Sequence, residues 1–317
     1  MKILRYTIIV LTVLFVIVFS VLIFRQDETI SRQEAIEKLN VPNSHFYDWN
    51  GINVHYTQVG DTGDVVLLVH GLSGSTDNFK LFTNKLKDYY RVYSIDLPAF
   101  GLTEVPNIDG LKEYDIDLIA YHQQFILDFL KEAGIDSCHI VGNSLGGLVS
   151  WEAVVADQSK FMSLTLLNSA GYDLDKVKNH VAGGLDNPIV KWIAKKGTPL
   201  FVSRKIIERT FYRDDLISDE GVQAAYYTNN KKGTLQWMSF LVGSNFTPDT
   251  ADIATIHIPT LIVWGQQDEL INVEHAFKFE RDIVNSNLII YDQTGHLPMI
   301  EQVDKLATDW MAFERDL

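Results

Sequence analysis

The chain carries one cysteine, Cys138, in 317 residues, so no internal disulfide staples the fold. Cys138 falls in an apolar run and reads as an inert core residue, and the redox compartment is therefore not legible from disulfides. Basic side chains are in the minority, 27 Lys and Arg against 41 Asp and Glu, which leaves a formal charge of −14. That balance excludes the basic footprint that a nucleic-acid partner demands and excludes electrostatic attraction to anionic lipid. An acidic surface of this kind is explained by solubility alone. Internal repeats are absent. His55, His122, His139, His180, His257 and His275 lack the spacing and carboxylate company of a metal site, so no metal is expected. What remains is 46% hydrophobic and 21% charged residues, at a length that accommodates one large α/β domain with a sizeable core.

Charge is missing altogether from Tyr6 to Phe24, where Ile, Val, Leu and Phe dominate. A helix over that run would be about 28 Å long, close to the hydrocarbon thickness of a bilayer. A cleaved signal peptide would have a shorter apolar core and a small-x-small site after it, whereas Val21-Leu22-Ile23-Phe24-Arg25 offers none. Residues 1–25 are accordingly expected to form an uncleaved, single-pass membrane anchor. Lys2 and Arg5 precede the span and Arg25, Arg32 and Lys38 follow it, so the distribution of basic residues does not orient it. Ser31-Arg32-Gln33-Glu34 forms a capping box that starts a short helix to about Leu39, stopped before Pro42, and residues 26–45 read as a linker or stalk.

From Gly51 onward apolar runs alternate with helix-like segments. Gly51–Thr57 alternates like an edge strand, and Val65–Val69, Arg91–Ile95, Ile140–Val141, Leu164–Leu167, Thr260–Trp264 and Leu288–Tyr291 are continuous apolar runs. Between them Asn78–Leu86, Leu118–Ala133, Leu148–Ala156, Val273–Ile283 and Val303–Phe313 carry helical periodicity. This pattern predicts a mainly parallel sheet with helices on both faces, whose ligands bind at the carboxyl ends of the strands. Residues 171–250 break the rhythm: they are helix-like, contain Trp192, Phe201, Phe211, Tyr226, Tyr227, Trp237 and Phe240, and show no clear strand. Such an insertion is expected to cap the strand ends, most of its aromatics filling its own core and a minority lining an apolar pocket. The core is then divided into 46–170 and 251–317.

The most informative stretch is Gly142-Asn143-Ser144-Leu145-Gly146, a Gly-x-Ser-x-Gly between the strand-like Cys138–Val141 and a helix. A strand–turn–helix of this kind strains the serine backbone and exposes its hydroxyl at the positive end of the helix. A serine hydroxyl needs a base within reach, and His296, in Thr294-Gly295-His296-Leu297-Pro298 after the last apolar run, is the candidate. The imidazole needs a carboxylate to fix its tautomer, and Asp268 follows the strand Thr260–Trp264. Asp292 reads as a turn residue and Asp96 as a loop-holding one. A carboxylate after Leu164–Leu167 would also serve, but that place is taken by Asn168. Oxyanion donors are expected from the backbone N–H of Leu145 and from the loop His70-Gly71-Leu72-Ser73-Gly74, with Leu72 N–H preferred and Gly71 the alternative. The His70 side chain reads as structural.

With His70-Gly71, Asp96-Leu97-Pro98, Gly142–Gly147, Asp268 and Gly295-His296 in this order, the chain resembles the α/β-hydrolase superfamily over about residues 46–317. Within it the chain is similar to the capped esterase/lipase branch, including membrane-anchored monoacylglycerol lipases and bacterial lipases with a helical cap. One departure is Ala99, where the family usually has glycine. The resemblance implies an α/β-hydrolase fold and a serine hydrolase without cofactor, and the aromatic-rich cap together with the membrane anchor points to a lipid-like acyl ester as substrate. Two alternatives stand beside it. One is carbon–carbon bond hydrolysis of ring-cleavage diketones, a branch in which the Asn143-Ser144 pair also occurs but in which Trp often stands where this chain has Leu297. The other is a non-catalytic binding protein on the same scaffold. Oligomeric state is not legible.

Overall fold

The computed structural model describes residues 6–7, 27–110, 116–173, 196–244 and 247–317. Most of the expected anchor over 1–25, and Trp192 of the expected cap, lie outside the described residues. Among the described residues no helix is long and apolar enough to cross a membrane.

Eight strands form one sheet: β1 (Ser44–Trp49), β2 (Ile52–Val59), β3 (Val65–Val69), β4 (Arg91–Ile95), β5 (Cys138–Asn143), β6 (Phe161–Leu167), β7 (Thr260–Gly265) and β8 (Ser286–Tyr291). Their order is β1-β2-β4-β3-β5-β6-β7-β8. The first two pairings are antiparallel and the remaining five parallel. The expected fold class, a mainly parallel sheet covered by helices, is thereby met. Strand β1 was not anticipated. It pairs with β2 through Trp49 and Ile52, leaving Asn50 (φ 53°) and Gly51 (φ 81°) as a two-residue turn. Asn-Gly is the dipeptide that tolerates two positive φ values in succession, so the hairpin signal was present in the sequence.

The runs of continuous hydrophobicity serve two separate cores. In β3, Val65, Leu67 and Val69 face one core, with Phe125 and Phe129, while Val66 and Leu68 face the other, with Phe82 and Trp310. Alternate side chains of a strand point to opposite faces, so a strand buried on both sides reads as uninterrupted apolar sequence. The first core is covered by α3 (Leu118–Glu132) and α4 (Leu145–Ala156), the second by α2 (Lys80–Leu86) and α10 (Val303–Arg315). Helix α1 (Arg32–Leu39) is capped by Ser31, whose hydroxyl accepts from Glu34 N–H at 3.1 Å. Between β6 and β7 lie α5 (Leu200–Glu208), α6 (Asp219–Asn229) and α7 (Thr234–Gly243). Helix α8 (Glu274–Asp282) precedes β8, and the short α9 (Pro298–Glu301) precedes α10.

Helix α4 starts three residues earlier than its periodicity suggests. Gly146 and Gly147 are poor helix formers, but contacts across the fold demand them. A Cβ on Gly146 would lie 2.1 Å from Val69 O, and one on Gly147 2.3 Å from Ser169 Oγ. From β3 the chain steps to β4 on one side and then crosses back to β5 on the other, so the carboxyl ends of β3 and β5 flank the switch point where ligands of such sheets bind.

Candidate active site

Ser144 connects β5 directly to α4 with φ 56° and ψ −119°. A non-glycine residue in that region stores about 1–3 kcal/mol of strain, which persists only where the surroundings impose it. Here they do. Ser144 N–H donates to Leu167 O at 3.1 Å, and its carbonyl accepts from Leu148 N–H (3.1 Å) and Ala170 N–H (3.0 Å). A Cβ on Gly142 would meet Gly146 O at 2.3 Å and Ser150 Oγ at 2.4 Å. The glycines of Gly-x-Ser-x-Gly are thus required by contact, and the serine is left at the amino end of a twelve-residue helix.

The loops after β7 and β8 are tied together. Gln266 N–H donates to Tyr291 O (2.8 Å), Gln267 N–H to Thr294 O (2.9 Å) and Thr294 N–H to Gln267 Oε1 (3.0 Å). A Cβ on Gly265 would stand 2.0 Å from Gly295 O, so glycine lets the two loops meet. Out of this junction Asp268 and His296 face each other, with Nδ1 of His296 2.7 Å from Oδ2 of Asp268. Both side chains are buried. Asp268 is saturated: Oδ1 accepts from Leu270 N–H (2.8 Å) and Ile271 N–H (3.1 Å), and Oδ2 also accepts from Asn168 Nδ2 (2.6 Å). A carboxylate so surrounded by donors accepts the Nδ1 proton of His296, which leaves Nε2 as the free base.

Two residues to which the sequence reading gave no positioning role hold the histidine loop. Asn143 donates from Nδ2 to His296 O (3.1 Å) and Leu167 O (3.0 Å), which ties residue 296 to the residue before Ser144. Glu301 accepts from Gly295 N–H at Oε1 and from Tyr212 and Arg213 N–H at Oε2, all at 2.9 Å. Burial pushes the Glu301 carboxyl above its ordinary range, against the lowering effect of those donors. Thr210 O accepts from His296 N–H at 2.9 Å. No local motif marks Glu301; its position in the first turn after the histidine was the only available signal. Among the described residues no hydrogen bond joins Ser144 Oγ to His296.

On the other side of Ser144 lies the loop after β3, where a Cβ on Gly71 would be 2.9 Å from Ser144 Cβ. Leu97 N–H donates to Nε2 of His70 (3.0 Å), so that nitrogen is bare and the proton sits on Nδ1, which donates to Gly71 O at 2.7 Å. Burial lowers the His70 pKa, in keeping with a neutral ring. Gly74 N–H donates to the same carbonyl at 3.0 Å. In a trans peptide the C=O and the following N–H point opposite ways. Fixing Gly71 O on these donors therefore turns Leu72 N–H to the other side. Leu145, the second expected oxyanion donor, is the first residue of α4, where backbone N–H groups have no helical acceptor.

A second Ser–His–Asp string runs through the molecule and is a different object. Ser44 Oγ lies 2.9 Å from His55 Nε2, and His55 Nδ1 lies 2.6 Å from Asp96 Oδ2. Asp96 also accepts from Thr76 N–H and Leu102 N–H, both at 2.7 Å, so it pins the loops after β3 and β4. Burial raises its pKa, but the charge and hydrogen bond of His55, with His70 and Leu102, outweigh that and hold it below the usual range. A Cβ on Gly101 would fall 1.9 Å from this carboxyl. Ser44 sits in the edge strand β1, also bonded to Val41 O (2.8 Å), with no helix N-terminus behind it. Asp292 is an exposed turn residue bonded to Gln267 Nε2 at 2.8 Å.

The insertion lies over this edge. Asn229 Nδ2 donates to Ser73 O (3.0 Å), Thr234 Oγ1 to Ala99 O (3.0 Å), and the buried Lys231 Nζ to Thr103 O (2.5 Å). Trp237 and Phe240 of α7 stack with ring centroids 5.8 Å apart and join the sheet's own core. Tyr226 and Tyr227 pair with each other, and Phe201 points outward. A cleft of about 800 Å³ opens beside Asp268, lined by Lys205, Arg209, Tyr212 and Gln266 among others, and reaches neither Ser144 nor His296. Among the described residues no group of three or more His, Cys, Asp or Glu side chains is placed to hold a metal ion.

Comparison with known proteins gives the class. The model of the alpha/beta hydrolase family matches residues 66–309. Lipase 3 of Moraxella sp. (strain TA144) is 29% identical over 265 residues, 81% of this chain and 79% of that protein. The 2-hydroxy-6-oxo-6-(2'-aminophenyl)hexa-2,4-dienoic acid hydrolase of Metapseudomonas resinovorans is 28% identical over 280 residues, 84% of this chain and 89% of that protein. A meta-cleavage product hydrolase from Pseudomonas fluorescens IP01 shares the fold, with a TM-score of 0.69 at 23% identity over 84% of this chain and 95% of that one. This chain belongs to the alpha/beta hydrolase family.

Proposed function

We propose that the protein is a serine hydrolase that cleaves carboxylic esters, with lipid-like acyl esters such as monoacylglycerol as its substrate class. The observation that carries this reading is the 2.7 Å contact of His296 Nδ1 with a fully hydrogen-bonded Asp268, beside a serine held on a strained turn. In this reading Nε2 of His296 takes the Ser144 proton as Oγ attacks the acyl carbonyl. Leu72 and Leu145 N–H receive the oxyanion. His296 then protonates the leaving alcohol, and water, activated by the same imidazole, frees the acyl group from Ser144. Asp268 stays a carboxylate throughout and stabilises the imidazolium. No cofactor takes part.

The lipid-like class is supported by the aromatic-rich insertion, by the lipase relative and by the apolar run Tyr6–Phe24. The reading includes an anchor over 1–25, a linker over 26–45 and a cap over 171–250 between the core segments 46–170 and 251–317. Hydrolysis of monoacylglycerol and of p-nitrophenyl esters of graded chain length tests it. Ser144→Ala and His296→Ala are each expected to lower kcat by about 10⁴-fold. Turnover of no ester, or full activity in Ser144→Ala, would sink the proposal.

A second reading, hydrolysis of a carbon–carbon bond in ring-cleavage diketones, is favoured by the 28% identity to a dienoic acid hydrolase and by Asn143 beside Ser144. Spectral loss of a dienoate substrate without ester turnover would select it. Failure of a fluorophosphonate probe to label Ser144 would select a binding protein instead.

A further inference from the structure

The loop after β3 makes a tight turn that its own sequence does not favour. Gly74 N–H donates to Gly71 O at 3.0 Å, which puts Leu72 and Ser73 at the central positions. Ser73 has φ 60°, whereas Leu72 is not among the residues with positive φ. Positive φ at the third position alone is the mark of a type II turn, which calls for glycine or asparagine there. A serine carries its Cβ into the left-handed region only where its surroundings impose that conformation.

The hydrogen bonds that hold Ser73 come from the insertion. Asn229, the last residue of α6, donates from Nδ2 to Ser73 O at 3.0 Å, and Ser73 Oγ donates to Met238 Sδ of α7 at 3.4 Å. The chain that follows Asn229 is itself fastened to the core, by Lys231 Nζ on Thr103 O (2.5 Å) and by Thr234 Oγ1 on Ala99 O (3.0 Å). The segment after the apolar run closes the joint from outside. Ile30 forms a bridge with Lys231, its N–H donating to Asn230 O (2.9 Å) and its carbonyl accepting from Lys232 N–H (3.0 Å), and the Glu28 carboxylate accepts from Tyr226 OH of α6. Asn229 therefore reaches Ser73 from a fixed support.

The consequence passes through two peptide planes. A trans peptide points its C=O and its N–H in opposite directions. Holding Ser73 O on Asn229 aims Gly74 N–H at Gly71 O. Holding Gly71 O, whose other donor is His70 Nδ1 at 2.7 Å, turns Leu72 N–H to the opposite side. We propose that Asn229 is a positioning residue for the reaction: from the insertion it imposes the turn at Leu72–Ser73 and so sets the direction of the Leu72 N–H that receives the oxyanion. The inference rests on the serine-hydrolase reading and not on the choice between an ester and a carbon–carbon bond. The insertion and the oxyanion donor then form one mechanical unit, and hydrolysis requires the insertion to be seated on the loop after β3.

The test pairs Asn229→Ala with Ser73→Gly in the full chain. Asn229→Ala is expected to lower kcat on a p-nitrophenyl ester about tenfold with KM within about twofold, since an oxyanion donor acts on the transition state and not on bound substrate. The loss stays below the roughly 10²–10³ of a missing donor because His70 still holds Gly71 O. Adding Ser73→Gly to Asn229→Ala is expected to recover most of the loss, because glycine takes a positive φ at no steric cost, whereas adding Ser73→Ala recovers none. Protection of the Gly74 amide against hydrogen exchange is expected to follow the same order, about tenfold lower in Asn229→Ala and restored by Ser73→Gly. An unchanged kcat in Asn229→Ala overturns the proposal. So does a loss that Ser73→Gly leaves in place, because Asn229 would then act on something other than the turn. A loss carried by KM overturns it too, since Asn229 would then meet the substrate. If the unaltered chain turns over neither an ester nor a dienoate and takes no fluorophosphonate label, the serine-hydrolase reading falls. Gly74 protection then decides the turn by itself, and equal protection in Asn229→Ala and the unaltered chain overturns it.

Discussion

Asn168 donates from Nδ2 to Oδ2 of Asp268 at 2.6 Å, the same oxygen that faces Nδ1 of His296. Its other contacts bind it to the two loops that carry those residues: Nδ2 lies 3.3 Å from Gly295 O, and Oδ1 accepts from Gly265 N–H at 3.3 Å. Asn168 also holds a left-handed φ of 46°, a region that asparagine tolerates better than most residues. Asn168→Asp would set a second carboxylate against Asp268, and like charges at that distance resist joint ionisation. Any added negative charge stabilises the imidazolium, so the acid limb of the pH–kcat profile is expected to move to higher pH and kcat at neutral pH to fall about 10–100-fold. An unaltered profile would show that Asn168 does not govern the pair.

Glu301 binds three backbone N–H groups with its two oxygens. Glu301→Gln turns an NH2 toward at least one of these donors and leaves a buried N–H without an acceptor, at a cost of about 1–3 kcal/mol. Because Gly295 precedes His296, kcat on a soluble ester is expected to fall about tenfold with KM little changed. Denaturant unfolding measured with the kinetics separates the two effects.

Ala99 stands where the family usually has glycine, and it adopts φ 72° all the same. Its N–H donates to Glu104 O (3.0 Å) and its carbonyl accepts from Thr234, so the loop is held in the glycine conformation despite the side chain. A left-handed L-residue costs about 1–2 kcal/mol, offset in part by the greater freedom of glycine in the unfolded chain. Ala99→Gly is expected to raise the unfolding free energy by about 0.5–1 kcal/mol at unchanged kcat. A lowered midpoint in urea would show that the strain is absent.

Glu152 of α4 is buried, with Gln123 Nε2 on one oxygen (2.8 Å) and no partner on the other. Burial pushes its pKa up to about 7, with Asp252, Asp117 and Asp249 adding to the rise. A carboxyl raised in the folded state stabilises fully below its unfolded pKa, and that contribution is lost as pH climbs through about 7. Glu152→Gln is therefore expected to unfold like the unaltered chain near pH 4 and to be about 1–3 kcal/mol more stable at pH 8. Parallel stability curves across that range would contradict the assignment.

The parts of this molecule with a local cause were legible in advance. Val65–Val69 and Arg91–Ile95 are observed with their expected bounds, because a strand buried on both faces needs an unbroken apolar run. The serine turn was legible because its glycines are demanded by contacts within a few residues, such as Gly142 against Gly146 and Ser150. Strand β1 went unread although Asn50-Gly51 announced its turn. Glu301, the bond from the Asn143 side chain to His296 O and the pairing of Ile30 with Lys231 carry no such signature, since the partners lie far away in the chain.

Residue types and their order determined the sheet, the turn at Ser144 and the sequence of Ser144, Asp268 and His296, because strand burial and backbone strain act over a few residues. Tertiary structure alone decided which oxygen of Asp268 meets His296, which amide holds it there and which helix receives the chain after its apolar run. Those outcomes depend on hydrogen bonds closed across long loops, where direction and distance are set by the packing of the whole sheet.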